Sequence, residues 1–151
     1  MISKSSLQAI KALVILAKLP QNRFEGAVSI AKKIHAPQNY LGKLLQHLAV
    51  ARYVTSQKGM GGGFALAKAP AEIVLFEVAK TLGENVGRVL ECVWGFRECD
   101  EAHRCPMHDR WKSLREAYLH FLKKTTIADL LNEHSLNFQE TVQRGGPNEV
   151  N

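Results

Sequence analysis

The chain has 151 residues, 46% of them hydrophobic, a length and composition that suit one soluble globular domain with a real core. Its net charge of +6 is unevenly placed: residues 1–70 hold ten Lys/Arg against the single acid Glu25, and residues 71–151 hold ten against thirteen, which divides the total into +9 and −3. The opening Met1-Ile2-Ser3-Lys4-Ser5-Ser6 has no secretory pattern, and Lys11 and Lys18 interrupt the apolar stretch after it, so a signal peptide and a membrane span are both disfavoured and a cytoplasmic protein is expected.

Leu7, Ile10, Leu13, Val14 and Ala17 recur at helical spacing and predict a first helix that Pro20 ends. A second helix, from about 26 to 35, carries Val28, Ile30, Ala31 and Ile34. Pro37 punctuates, and a third helix follows with Leu41, Leu44, Leu45 and Leu48 on one face and Gln38, Asn39, Lys43 and Gln46 on the other. Two short β-like runs, 53–56 and 64–67, then flank the glycine-rich turn at 57–63 and predict a hairpin. Three helices and a hairpin in that order describe a winged helix-turn-helix, whose second motif helix enters the major groove of DNA. The basic balance of this half suits a phosphate backbone. Asn and Gln can pair with adenine and Lys can reach guanine, so Gln38, Asn39 and Lys43 have side chains suited to base edges. The glycine run lacks the Gly-Lys-Ser/Thr ending of a nucleotide-binding loop and sits between strands, which argues against an NTPase.

After Pro70 an apolar helix is expected through Ile73, Val74, Phe76, Val78 and Ala79, with a break at Gly83 and Gly87. A long amphipathic helix follows from about 106 to 124, with Met107, Trp111, Leu114, Tyr118, Phe121 and Leu122 spaced for one buried stripe. So aromatic a stripe at the end of a small domain suits a dimer seam. A homodimer that binds double-stranded DNA implies a palindromic operator. One more short helix is expected at 125–131. The fold class is therefore mostly α with a small β-hairpin, divided into a DNA-binding region at 1–70, cysteine-bearing and dimerisation elements at 71–135, and a disordered tail at 136–151.

Between those helices stand the only cysteines, Cys92, Cys99 and Cys105, with His108 three positions after the last. In a reducing cytosol such a cluster suits metal binding or redox chemistry more than a disulfide framework. Three thiolates and an imidazole can hold zinc tetrahedrally or an iron-sulfur cluster, and the spacing alone does not choose. His103 is an alternative fourth ligand. A disulfide switch without metal is a further reading. A thiol enzyme has less support, because there is no Cys-x-x-Cys in a thioredoxin-like pattern and no Ser-His-Asp set, although Cys99 with His103 could form a reactive thiolate.

Taken together these segments resemble the iron-sulfur winged-helix regulators typified by IscR, NsrR and RirA. The resemblance runs from Ser6 to about Leu131. It rests on Gln8-Ala9-Ile10-Lys11-Ala12-Leu13, on Asn39-Tyr40-Leu41, on the wing phrase Lys58-Gly59-Met60-Gly61-Gly62-Gly63-Phe64, and on the placement of the three cysteines. It implies a non-enzymatic transcriptional regulator, a homodimer with a long dimerisation helix, and a cluster held by Cys92, Cys99 and Cys105. It also implies DNA contacts from Gln38, Asn39, Lys43 and, on the wing, Lys58. With His108 as fourth ligand the set resembles that of IscR-like members, so a 2Fe-2S cluster is favoured over 4Fe-4S. Some NsrR-like members use an aspartate of the first helix, and the matching stretch here, Ser5-Ser6-Leu7-Gln8, has no carboxylate. Six residues separate Cys92 from Cys99 where the IscR pattern has five, and Gly42 stands where that branch has a glutamate.

Overall fold

Ser3 opens the first helix: its hydroxyl accepts from the Ser6 N–H at 3.1 Å, satisfying a donor that the helix start would otherwise leave over. In the computed structural model, which describes residues 2–83, 92–94 and 101–132, α1 spans Lys4–Ala17, α2 Ala27–Ile34 and α3 Gln38–Val50. The turn between α2 and α3 closes without glycine. His35 takes the left-handed conformation there at φ 53°, and the Ala36 N–H donates back to the Ala31 carbonyl at 2.9 Å. Pro37 then enters α3 with its ring-fixed φ. Leu41, Leu44, Leu45 and Leu48 are all buried, which leaves the opposite face of α3 to solvent as the periodicity predicts.

The hairpin consists of β1 (Val54–Gln57) and β2 (Gly63–Leu66), antiparallel, with Val54 opposite Leu66 and Gln57 opposite Gly63. The fold is thus mostly helical with one small two-stranded sheet, in the order of a winged helix-turn-helix. Gly59, Gly61 and Gly63 all have positive φ. Gly62 has no room for a side chain either, since a Cβ there would lie 2.2 Å from the Gln57 carbonyl oxygen.

The segment after Pro70 differs from the helix expected there. Pro70–Glu72 forms one 3₁₀ turn, Ile73 and Val74 are extended, and α4 begins only at Leu75, ending at Thr81. The physical reason lies far along the chain. The Ile127 N–H donates to the Ile73 carbonyl at 2.9 Å and the Leu75 N–H to the Thr125 carbonyl at 3.0 Å, so Val74 pairs with Thr126 as a short antiparallel bridge. α5 (His108–Lys124) and α6 (Ile127–Asn132) complete the described chain, and α5 starts two residues later than the sequence suggests.

One core joins these elements. α1 lies at its centre, against α2, α3, α4, α6 and β2, and Leu13, Ile30, Leu41, Leu45, Leu48, Ile73, Leu122 and Ile127 are fully buried within it. The α5 stripe does not bury as a unit within the chain. Leu122 is in the core and Tyr118 packs on its edge, Trp111 is half-buried, and Met107, Leu114 and Phe121 are exposed. Among the described residues no helix is long and apolar enough to cross a membrane. The tail expected to be disordered, 136–151, lies outside the described residues.

Candidate functional site

The two predicted sites fall on different elements. Gln38 and Asn39 open α3, and Lys43 follows Asn39 by one helical turn, so Asn39 and Lys43 share a face. All three are exposed. Lys58, also exposed, directly follows β1 at the start of the wing turn, and Met60 stands fully exposed at its tip. The fold therefore puts every sequence-predicted DNA contact in reach of solvent, three on the helix and one on the wing.

The wing is held from both sides. Behind β1, the Tyr53 N–H bonds to the Leu48 carbonyl at 2.9 Å and ties the strand to the end of α3. Beside β2, Glu25 exchanges two backbone hydrogen bonds with Phe64, at 3.0 and 2.9 Å, forming an isolated bridge just before α2. The Glu25 carboxylate turns onto α2, accepting from Ser29 at 2.6 Å and standing 2.5 Å from the Lys33 ammonium. Burial pushes this carboxyl up, yet the hydrogen bonds from Lys33 and Ser29 and the charge of Lys33 outweigh it and leave its pKa below the ordinary 4.5. The sequence marks Glu25 only by its being the one acid of the basic half; its pairing with Phe64 has no local signal.

At the other site, Cys92 and Cys105 are each 5% exposed and His108 is 2% exposed. His108 is the first residue of α5, and its N–H donates to the Cys105 carbonyl at 2.9 Å, which closes a tight turn between the two candidate ligands. Cys99 lies outside the described residues, and among those described no three His, Cys, Asp or Glu side chains converge as a metal site. His103, the alternative ligand, is exposed. Sequence reasoning missed Glu101. It pairs with Arg104 and, through Oε1, with the Lys112 ammonium at 2.6 Å, and the same oxygen lies 3.6 Å from His108 Nε2. Hydrogen bonds from Lys112 and Arg104 hold its carboxyl down to about 2, so a fixed negative charge sits beside the buried imidazole at neutral pH.

The family model for Rrf2, described as an iron-dependent transcriptional regulator, matches residues 2–133. The chain belongs to the Rrf2 family. Among its Rrf2 relatives, the chain is 30% identical over 128 residues to the HTH-type transcriptional regulator NsrR of Geobacillus kaustophilus, a match covering 84% of this chain and 86% of that one. It is 29% identical over 128 residues to the HTH-type transcriptional regulator IscR of Serratia proteamaculans, covering 85% and 77%. Its fold matches that of CymR, the global cysteine regulator of Bacillus subtilis, with a TM-score of 0.71 at 25% identity over 87% of this chain and 95% of that one. This Rrf2 protein is therefore a DNA-binding transcriptional regulator and not an enzyme.

Proposed function

We propose that this Rrf2 regulator senses iron-sulfur status, redox stress or nitric oxide through a cluster held by Cys92, Cys99, Cys105 and His108, and that it binds a palindromic operator as a homodimer. The observation that carries the reading is the burial of three candidate donors, Cys105 and His108 at the head of α5 and Cys92 earlier in the chain. Soft thiolate and imidazole donors drawn out of water fit a metal or cluster better than they fit an exposed reactive thiol. A 2Fe-2S cluster is favoured over 4Fe-4S on the three-cysteine, one-histidine donor set. When bound, the cluster supplies a redox-active and oxidant-labile centre whose potential a histidine ligand raises.

The protein's own part is conformational. Cys105 and His108 are joined by a backbone hydrogen bond at the first turn of α5, so ligands held in place order the start of that helix. The exposed Leu114 and Phe121 lie further along α5 and suit a seam with a second copy, while Leu122 anchors the helix in the core that also holds α1 and α3. Ordering or loosening the head of α5 then shifts the seam and with it the spacing of two paired α3 helices, the quantity that a palindrome reads. Residues 1–70 would read DNA through Gln38, Asn39, Lys43 and Lys58, and residues 71–135 would sense and dimerise.

A second reading is a thiol or disulfide switch without a cluster, and the likeness to CymR, a cysteine regulator by name, favours keeping it; a structural zinc on the same donors is a third. Iron, acid-labile sulfide and zinc measured per chain on protein purified without oxygen decide among them. Equal iron and sulfide support the cluster. Zinc near one without sulfide makes the site structural, and absence of metal with intact DNA binding favours the thiol switch.

A further inference from the structure

Glu25 occupies an unusual position for a carboxylate. The half of the chain that meets DNA carries ten cations and this one acid, and an acid there opposes phosphate binding. Its side chain is only 10% exposed, and Oε2 is buried with no hydrogen-bond partner among the described residues. Leaving an acceptor dry costs stability, so the arrangement calls for a physical reason.

The surrounding geometry supplies one. Through its backbone Glu25 forms an isolated bridge on the outer side of β2, bonded both ways to Phe64. The approach is so close that a Cβ on Gly63 would lie 2.4 Å from the Glu25 carbonyl carbon and oxygen, at a backbone φ of 135° that also favours glycine. Through its carboxylate Glu25 grips Ser29 and Lys33, one and two turns along α2. α2 packs on α3, which carries the exposed Gln38, Asn39 and Lys43. One residue thus links the wing to the helix-turn-helix, and it takes up the charge of Lys33.

We propose that Glu25 is a positioning residue for operator recognition: it fixes the wing against α2 and α3, and it keeps Lys33 engaged so that this cation does not add sequence-blind attraction to DNA. The inference rests on the placement of α3 and the wing on DNA given above. A rigid link between two reading elements makes the correct sequence satisfy both at once, while a loose link lets each bind phosphate separately. Glu25 therefore trades bulk affinity for discrimination.

The test uses full-length protein and two DNA probes: the duplex that the wild type enriches from a random-sequence library, and calf-thymus DNA. The variants are Glu25→Ala and Glu25→Gln, the second keeping the shape and an acceptor for Ser29. Both should bind calf-thymus DNA more tightly, with a salt slope steeper by about one as Lys33 is released. Their ratio of enriched-duplex to calf-thymus affinity should fall roughly tenfold, the scale of one mismatched base pair. If either variant fails to unfold cooperatively, the other carries the measurement. A merely structural role would lower both affinities together and leave the ratio unchanged, and an unchanged ratio overturns the inference while leaving the operator reading intact. A wild type that enriches no sequence overturns the operator reading and this inference with it.

Discussion

Val74 and Thr126 face each other as an antiparallel bridge between the entrance of α4 and the link from α5 to α6. On either side of it Ile73 and Ile127 are fully buried. The bridge converts two residues expected in helices into a clasp that brings the end of α5 back to the end of the winged-helix segment. Ile127→Ala should remove packing and leave a cavity in the core, for a loss of about 2–5 kcal/mol. Urea unfolding checks it: the midpoint should fall with the slope unchanged. A loss below about 1 kcal/mol would mean that the clasp is not part of the cooperative core.

The same junction carries a capping arrangement with a pH signature. Asp129 accepts from the Thr126 N–H and hydroxyl at 2.7 Å each, while the Thr126 hydroxyl accepts from the Asp129 N–H at 3.3 Å. The backbone hydrogen bond first, and then the hydroxyl, pull the Asp129 carboxyl below its ordinary 3.8. A lowered folded-state value means that the contribution to stability is fully present above pH ~4, the unfolded value, and is lost as pH falls through the folded one. Asp129→Asn should therefore be less stable than wild type at pH 6, and the gap should narrow at pH 3. Thermal melts at the two values test this, and a gap that widens at pH 3 would contradict it.

What could be read from the sequence was whatever is local. The 3.6-residue spacing of Leu41, Leu44, Leu45 and Leu48 and the glycines at 59, 61 and 62 answer to their own turn or their immediate neighbours, so α3 and the wing appear where expected, whereas Gly63 also makes room for Glu25 far back in the chain. Ile73 and Val74 could not be read, because an apolar pair fits a helix or a strand and the choice is made by Thr125, Thr126 and Ile127 some fifty residues on. Glu25 was visible as a lone acid and Glu101 as one of several, but what each holds is long-range or set by a turn. Arg52 and His35 take left-handed conformations that glycine or asparagine would have announced. Of the metal-site candidates, Cys92, Cys105 and His108 are buried, which spacing alone could not show, and Cys99 lies outside the described residues.

The exposed face of α5 makes a prediction about assembly. Leu114 is 64% and Phe121 47% exposed in the single chain, on a helix whose other face is buried through Leu122. If a two-fold seam covers them, each side chain is buried twice per dimer. Phe121 has only about half of its surface left to bury, so at about half of ~1.5–3 kcal/mol per side chain, replacing it by Glu removes about 1.5–3 kcal/mol per dimer and should weaken dimerisation roughly ten- to a hundredfold. Sedimentation equilibrium should show monomer at micromolar concentration where wild type is a dimer. An unchanged dimer would place the seam elsewhere.

Lys43 and Lys58 test the reading of the DNA face, because they sit on its two separate elements, α3 and the wing turn. A lysine that neutralises a phosphate releases counterions, so Lys→Ala should weaken binding to all sequences about equally and flatten the dependence of log affinity on log salt by about one. A lysine that reads guanine behaves differently. Its loss costs about 1–3 kcal/mol on the correct base and little on a wrong one, with less change in slope. Lys43 shares a face of α3 with Asn39 and should follow the base-reading pattern, whereas Lys58, at the base of the glycine turn, should follow the phosphate pattern. Titrations of both variants against the enriched duplex and a single-base variant, at two salt concentrations, separate the outcomes. Affinity and slope unchanged at both lysines would move the DNA face away from α3 and the wing.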